Sequence, residues 1–349
     1  MTVPGALPHE VADDAVFIAW GPPAYTNRTR PLAGALGVEV RHVYSTRRRG
    51  ALAAVVKYPY QAVATTWYLL RQRPALVFAQ HPPSFTAMVA AAYGAITGSP
   101  YVVDAHSDAF DSPWWTRPRW LQRVVARRAL TTIVTNDHFA DLLRAGGAHA
   151  SIVRDFPTEL EPASYPMAPG LNVVVIATFA PDEPLAEVVS AARALPDVTF
   201  RVTGDTRREG AAIPSDLPPN VELTGFLPAA DYYGLVHGSD AAMALTTRDH
   251  TMQRGACEAL SLGTPIITSD WPLLRTYFCK GTVHVDNTAA GIRDGIDRLR
   301  GDLDRYREEI VELRTDVRAE WDTAREALVE RILTCPAIVH RYGSPSHTS

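Results

Sequence analysis

TTRDHTMQRGACEALSLGTPIITSDWPLLRTYF, residues 246–278, reads as loop, helix, strand, helix. The spacing predicts a helix over 253–262, closed by Gly263, a residue suited to the left-handed turn that ends a helix. Pro265 then opens the apolar run PIIT, which reads as a buried parallel strand. Asp270 is placed to cap a second helix beginning near Trp271 and Pro272. Inside the first helix Glu258 lies among Gly255, Ala256, Cys257, Ala259 and Leu260. A carboxylate in such apolar company is costly unless something pairs with it. Two readings follow. Glu258 forms an i,i+4 pair with Arg254 on a solvated face, or it accepts hydrogen bonds from ligand hydroxyls at the carboxyl edge of a parallel sheet, where open α/β folds bind ligands.

Outward from this segment the same alternation recurs. Strands are predicted at 16–20, 38–44, 75–80, 100–103, 130–135 and 151–153, with helices between them. A polar, Pro-rich stretch, TELEPASYPMAPG at 158–170, reads as a hinge. A second series follows, with strands at 172–177, 198–203, 221–223, 241–246 and 282–285 besides the PIIT run. Strand–helix alternation found twice implies an α/β chain of two doubly wound domains. The first covers 1–157 and the second 171–319.

Composition agrees. The chain has 349 residues, 46% hydrophobic and 21% charged, enough for two ordinary cores. Its net charge of −4 gives no sign of general nucleic-acid binding. Three cysteines, Cys257, Cys279 and Cys335, have no metal-ligand spacing and suit a reducing, cytoplasmic setting. No apolar run is long enough to span a bilayer, and no signal peptide is evident.

The run RGACEALSLGTPIITSD resembles the donor-site signature of retaining glycosyltransferases of the GT-B fold, family 4 (group 1), in a bacterial branch. The resemblance implies two Rossmann-like domains facing across a cleft, with a last helix at about 320–340 crossing back to the first domain. The family signature has two glutamates, the second opening an E-A-x-x-x-G-x-P string. That string is met here by Glu258, Ala259, Gly263 and Pro265, and the resemblance makes Glu258 the ligand of the nucleotide ribose. The first glutamate, which faces the donor sugar, is replaced by His250, with Asp249 as the alternative. Thr251, Met252 and Arg254 fall beside these positions as donor contacts. Leu227, in the phrase GFLP, is a base contact by the same resemblance or simply a core residue, and Gly204 ends the strand that lines the donor side. Family members often carry an Arg and a Lys after the first strand of the second domain. Here that loop is TFAPDEPLAE and holds no basic residue. Arg248 is the first choice for the missing cation, with Arg207, Arg208, Arg254 and Arg275 as the others.

In the first domain, His106 follows the fourth strand, where family members often place a histidine near the donor sugar and acceptor. It lies between Asp104 and Asp108, at the carboxyl end of a strand; Asp108 is a weaker candidate. Asn27, Arg28 and Arg30 stand after the first strand, where the family often has a Gly-Gly pair. Arg28 and Asn27 are candidates for a phosphate or acceptor, and surface arginines are the alternative. Trp114 and Trp115 begin a loop over the acceptor pocket or form a surface cluster. Arg47, Arg48 and Arg49 precede a helix over 51–70. They read as a solvated loop leading into a packed helix, with peripheral membrane contact as the alternative.

The expected activity is transfer of a sugar from a nucleotide diphosphate sugar to a hydroxyl of a glycan, a lipid-linked glycan or a small metabolite. The resemblance implies retention of configuration without metal or other cofactor. His106, His250, Asp249 and Arg248 would serve the chemistry, and the leaving phosphate would take the acceptor's proton. The alternatives are an inactive nucleotide-sugar-binding protein and a GT-B nucleotide-sugar epimerase. A dinucleotide oxidoreductase is disfavoured because no G-x-G-x-x-G opens either domain.

Overall fold

The computed structural model describes residues 5–21, 28–45, 51–155, 157–207, 213 and 216–343. Its contacts divide the chain into two compact units, Met1–Asp155 with Trp321–Ser349, and Phe156–Glu320.

Unit 1 runs α1 (His9–Ala12), β1 (Ala15–Ala19), α2 (Thr29–Leu36), β2 (Glu39–His42), α3 (Ala51–Gln72), β3 (Leu76–His81), α4 (Ser84–Thr97), β4 (Tyr101–Ala105), α5 (Asp108–Asp111), α6 (Pro113–Thr116), α7 (Arg119–Arg128), β5 (Thr131–Val134), α8 (Asp137–Ala145) and β6 (Ala150–Ile152). All its strand pairs are parallel, in the order β2-β1-β3-β4-β5-β6. The inner strands are buried because helices cover both faces, whereas the edge strand β2, EVRH, is exposed at alternate residues. β1 and β4, for example, are buried at every residue. One face packs Val16, Ile18, Val77 and Val103 against α3, α4, α7 and α8, through Leu69, Ala90, Val125 and Phe139.

Unit 2 runs β7 (Leu171–Ile176), α9 (Leu185–Arg193), β8 (Val198–Thr203), β9 (Val221–Gly225), α10 (Ala229–Gly238), β10 (Ala241–Ala244), α11 (Arg254–Leu262), β11 (Ile266–Ser269), α12 (Pro272–Tyr277), β12 (Thr282–Val285), α13 (Ala289–Gly301) and α14 (Leu303–Leu333). The last residues of α14, from Trp321, and α15 (Pro336–Tyr342) belong to unit 1. The second sheet is also all parallel, in the order β12-β11-β10-β7-β8-β9. Chain order reverses between β7 and β10, and in the first sheet between β1 and β3. Such reversals open a crevice at the carboxyl edge of an open α/β sheet.

The stretch expected as a hinge, 158–170, packs along unit 2. Thr158 donates its N–H to Ser261 Oγ at 3.1 Å, Ala163 donates to the Ala230 carbonyl at 2.9 Å, and Leu160, Tyr165 and Met167 pack on the unit 2 core. Its apolar residues, spaced between prolines, bury themselves on α10 and α11. Asp270 does not cap α12. Its carboxylate is held by Arg275, a bidentate pair stronger than one bond to a backbone N–H, and Trp271 stands at the cap without a side-chain bond.

Candidate functional site

In unit 2 the chain leaves the reversal point through residue 177 onward after β7 and residue 245 onward after β10. Thr246 ties these segments together. It is fully buried and donates its N–H to Ser269 Oγ (2.8 Å) and its hydroxyl to Asp182 Oδ2 (2.8 Å). Its carbonyl accepts from Trp271 Nε1 (2.9 Å) and Asn287 Nδ2 (3.0 Å). A loop with every polar atom of its first residue satisfied from three other elements is held in one conformation.

That conformation presents Arg248, Asp249 and His250. The Arg248 side chain is exposed. His250 adopts φ 56°, left-handed backbone uncommon outside glycine. Its N–H donates to Asp249 Oδ1 at 2.6 Å, and its Nε2 lies 3.4 Å from Asp249 Oδ2. The two residues offered as alternatives for the missing glutamate are therefore one pair. Thr251 turns its hydroxyl back to the Asp249 carbonyl at 3.3 Å. Met252 and Leu227 are half-buried against the core formed by β10, α10 and α11, so the core-packing reading of Leu227 describes its contacts.

α11 starts at this loop. Gln253 at its N-cap makes no side-chain capping bond. The helix abuts β7 closely: a Cβ on Gly255 would lie 2.6 Å from Ile176 Cγ2. Only glycine brings the helix start so near the carboxyl end of β7. A helix N-terminus so placed carries unpaired N–H groups and partial positive charge. One turn on stands Glu258, only 16% exposed. Arg254 Nε donates to its Oε1 at 3.1 Å, and the Tyr232 hydroxyl on α10 donates to its Oε2 at 2.6 Å. The expected i,i+4 pair thus forms, between an exposed Arg254 and a Glu258 that is largely shielded. Burial, then the Glu258 carboxylate, pushes the Tyr232 phenol well above its ordinary pKa, so it stays a donor. Tyr232 was not visible as a site residue in the sequence, since it lies 26 positions away on another helix.

The loop after β7, basic in many family members, is closed here by its own acid. Glu183 accepts from the Thr178 N–H (2.9 Å to each oxygen), from the Thr178 hydroxyl (2.8 Å) and from the Ala180 N–H (3.2 Å). Phe179 between them is buried at φ 56°. Successive N–H groups in this shape form an anion-binding concavity, and a carboxylate from the same loop fills it. Gly204, at φ 133°, sits against this loop; a Cβ there would lie 2.4 Å from the Ala177 carbonyl oxygen. Of the other cations, Arg275 is engaged by Asp270 and Arg207 by Asp205; Arg208 lies outside the described residues.

Unit 1 has its own constellation, built on Asp104. This residue is the penultimate one of β4 and is fully buried. Its Oδ2 takes His106 Nε2 at 3.2 Å and the Thr29 hydroxyl at 3.4 Å, and its Oδ1 lies 3.5 Å from Arg28 Nη2. Burial alone would raise the Asp104 carboxyl. Arg28, His106 and Thr29 outweigh it and hold the carboxyl below its ordinary pKa, so the aspartate is a fixed anion. It orients the ring of His106, whose side chain remains 29% exposed. Arg28 is turned inward. It is 10% exposed, and besides Asp104 it donates to the Val153 carbonyl at 2.9 Å. The surface reading of Arg28 therefore fails, and so does its presentation to a ligand through Nη2. Asp108 opens α5 with an exposed side chain, away from this cluster of bonds. Asn27 and the run Arg47, Arg48, Arg49 lie outside the described residues.

Residues 6–157 match the family described as "Glycosyl transferase 4-like domain", and residues 184–332 match "Glycosyl transferase-like". No curated protein matches the sequence. Among solved structures, the chain is similar to sucrose-phosphate synthase from Thermosynechococcus elongatus, at 15% identity and TM-score 0.70, covering 90% of this chain and 96% of that one. It is similar to Anabaena HepE in complex with UDP and glucose, at 13% identity and TM-score 0.63, covering 92% and 99%. A putative UDP-N-acetylglucosamine 2-epimerase from Listeria monocytogenes gives 12% identity and TM-score 0.64, covering 91% and 95%. At such identities these likenesses speak for the fold. The two sheet orders, the signature on α11 and the two matched families agree, and the chain belongs to the GT-B glycosyltransferases of the family 4 (group 1) type.

Proposed function

We propose that the protein transfers a sugar, with retention, from a nucleotide diphosphate sugar held by unit 2 to a hydroxyl of an acceptor held by unit 1. The observation that carries this reading is Glu258. It is a mostly buried carboxylate one turn into an uncapped helix at the sheet's reversal point, gripped on one side by Tyr232 and Arg254. Each carboxylate oxygen retains a lone pair for a ribose hydroxyl. The α11 N-terminus would receive the diphosphate, and Arg248 would supply the charge that the loop after β7 lacks. Solved relatives in this fold hold UDP, which makes uridine the first base to try. Asp249 and His250 would face the sugar as a pair. His106, oriented by Asp104, would position sugar or acceptor, while the departing phosphate takes the acceptor proton, so no side-chain base and no metal are required. Stabilising a leaving diphosphate with fixed dipoles and cations is the main catalytic task.

The test is thermal unfolding with UDP, GDP, ADP and dTDP. A nucleotide at ~100 times its dissociation constant adds ~2.7 kcal/mol of stability. One nucleotide should shift the transition, and Glu258→Ala should abolish the shift while also lowering the unliganded Tm, since it strips the buried Tyr232 hydroxyl of its acceptor. An unchanged affinity in that variant would sink the ribose assignment. Isomerisation of the donor in the absence of acceptor would replace transfer by epimerisation, and binding without turnover would favour a non-catalytic protein.

The protein is further proposed to work against an anionic membrane surface through unit 1. On α3, Val56, Tyr60, Val63, Trp67 and Leu70 recur at intervals of four and three, yet all are 48–72% exposed. Ile96 on α4 and Trp120 on α7 are exposed as well. These three helices carry no acidic residue, while Lys57, Arg71 and four arginines of α7 lie on them. Aromatic and basic residues on an apolar helix face suit the bilayer interface. No helix among the described residues is long and apolar enough to cross a membrane. Co-flotation with phosphatidylglycerol vesicles, weaker with phosphatidylcholine and lost in Val63→Glu/Trp67→Glu, is the expected result; equal flotation of the double variant would remove this reading.

A further inference from the structure

A cavity of about 580 Å³ lies within unit 1, between the β4–β5 face of the sheet and helices α7 and α8. It falls in the size range of small-molecule sites. Its walls are apolar, among them Val103, Ala105, Val125 and Leu143, and no acidic residue lines it. Along one side run Arg119, Arg123 and Arg127, at helical intervals of four on α7. Arg127 is used by the Gly146 carbonyl; Arg119 and Arg123 have no acidic partner among the described residues.

Three lining side chains leave polar atoms buried and unpartnered: His81 Nε2, Thr132 Oγ1 and Gln122 Nε2. His81 is 8% exposed and Thr132 2%. His81 is neutral, its ring pushed down to about 4 by burial and then by His106, against a hydrogen bond to the Trp115 backbone. Its Nε2 therefore accepts a hydrogen bond. The His106 backbone N–H donates to the carbonyl of His81, one of the lining residues, at 2.8 Å. Apolar walls and two uncommitted cations at the rim describe one kind of ligand.

We infer that this cavity binds a single-chain amphiphile with an anionic end group, its apolar body between α7 and the sheet and its charge at Arg119 and Arg123. It is the aglycone portion of the acceptor, a statement that rests on the transfer reading above, whereas the binding itself is measured without it. The probe is octyl phosphate, titrated calorimetrically into the full-length protein, with octanol and inorganic phosphate as the two halves of the ligand. Saturable binding at one site is expected, at least tenfold tighter than for either half. Ala126→Phe, which fills the cavity, and Arg119→Glu/Arg123→Glu, which reverses the rim, should each weaken it at least tenfold. The second variant alters only exposed side chains and decides the matter if the first does not fold.

The source of the amphiphile is read with phosphatidylglycerol vesicles. Ala126→Phe should adsorb to them normally while losing octyl phosphate, which separates the cavity from the surface. Binding no tighter than octanol's, or unchanged in both variants, overturns the proposal. Octyl phosphate binding in a protein that no nucleotide stabilises would keep the cavity and remove the transfer reading.

Discussion

His81 and Glu258 show how burial turns an ordinary side chain into a constrained one. The ring of His81 has a folded pKa of about 4 against an ordinary 6.5. Below pH 6.5 the unfolded chain takes up a proton there that the folded chain refuses. The associated stability is fully present above pH 6.5 and is lost as the pH falls toward 4. The full loss is about 3 kcal/mol. Urea unfolding at pH 7.5 and 4.5 should show this fall, and His81→Gln should remove most of it; an identical fall in the variant would mean that other groups carry it. Asp104 acts in the same direction, its depressed carboxyl losing stability only at still lower pH. For Glu258, the Tyr232 bond can be removed without touching the carboxylate. Tyr232→Phe should destabilise the fold by roughly 1–3 kcal/mol, because a bond to a charged acceptor is lost, and should weaken nucleotide binding less than Glu258→Ala does. Denaturant midpoints and the nucleotide titration together check this ordering. Glu258 is legible as a candidate site residue from its apolar neighbours in sequence. Tyr232, Thr246 and Asp182 are not, because each acts across tens of residues and none has unusual neighbours of its own.

At the scale of the element, α11 is placed by one missing side chain. Gly255→Ala puts a methyl group 2.6 Å from Ile176 Cγ2. Overpacking of this kind costs about 1–3 kcal/mol and is relieved by moving the helix start. A lowered Tm accompanied by a weakened nucleotide shift is expected. A lowered Tm with full nucleotide affinity would show that the helix start does not hold the diphosphate. Most strands and helices were legible locally, since apolar runs and their breakers are written in consecutive residues. The short helix α6 falls where the sequence, at Trp114 and Trp115, reads as the start of a loop, because so few residues carry no helical periodicity. The loop after β7 was read only as lacking cations. That its own Glu183 fills the backbone concavity depends on the left-handed turn at Phe179, which no local pattern announces.

For the molecule as a whole, net charge misleads. The chain is acidic at −4, yet α3, α4 and α7 hold none of its 38 acidic residues. A segregated basic and apolar face can bind an anionic surface that the average charge would repel. Vesicle adsorption should therefore fall as salt rises from ~0.05 to ~0.5 M, because each exposed charge is worth about 1 kcal/mol near such a surface and is screened over a Debye length. Adsorption indifferent to salt would assign the face to apolar contact alone. The α3 stripe also marks where sequence stops being informative. Its spacing is that of a core-facing helix, and it was read as packed. In the structure Leu69 and its neighbours on another side of α3 fill the core instead, leaving Trp67 and Val63 outside. By itself the sequence determined the two α/β series, the signature at Glu258 and the family, because hydrophobic period and motif spacing are properties of neighbouring residues. Only the tertiary structure decided which partner each charge keeps: Asp104 with Arg28 and His106, Glu258 with Tyr232, Glu183 with its own loop. Those partners lie at the carboxyl edges of strands or across loops, and nothing but the packed sheet brings them within hydrogen-bonding distance.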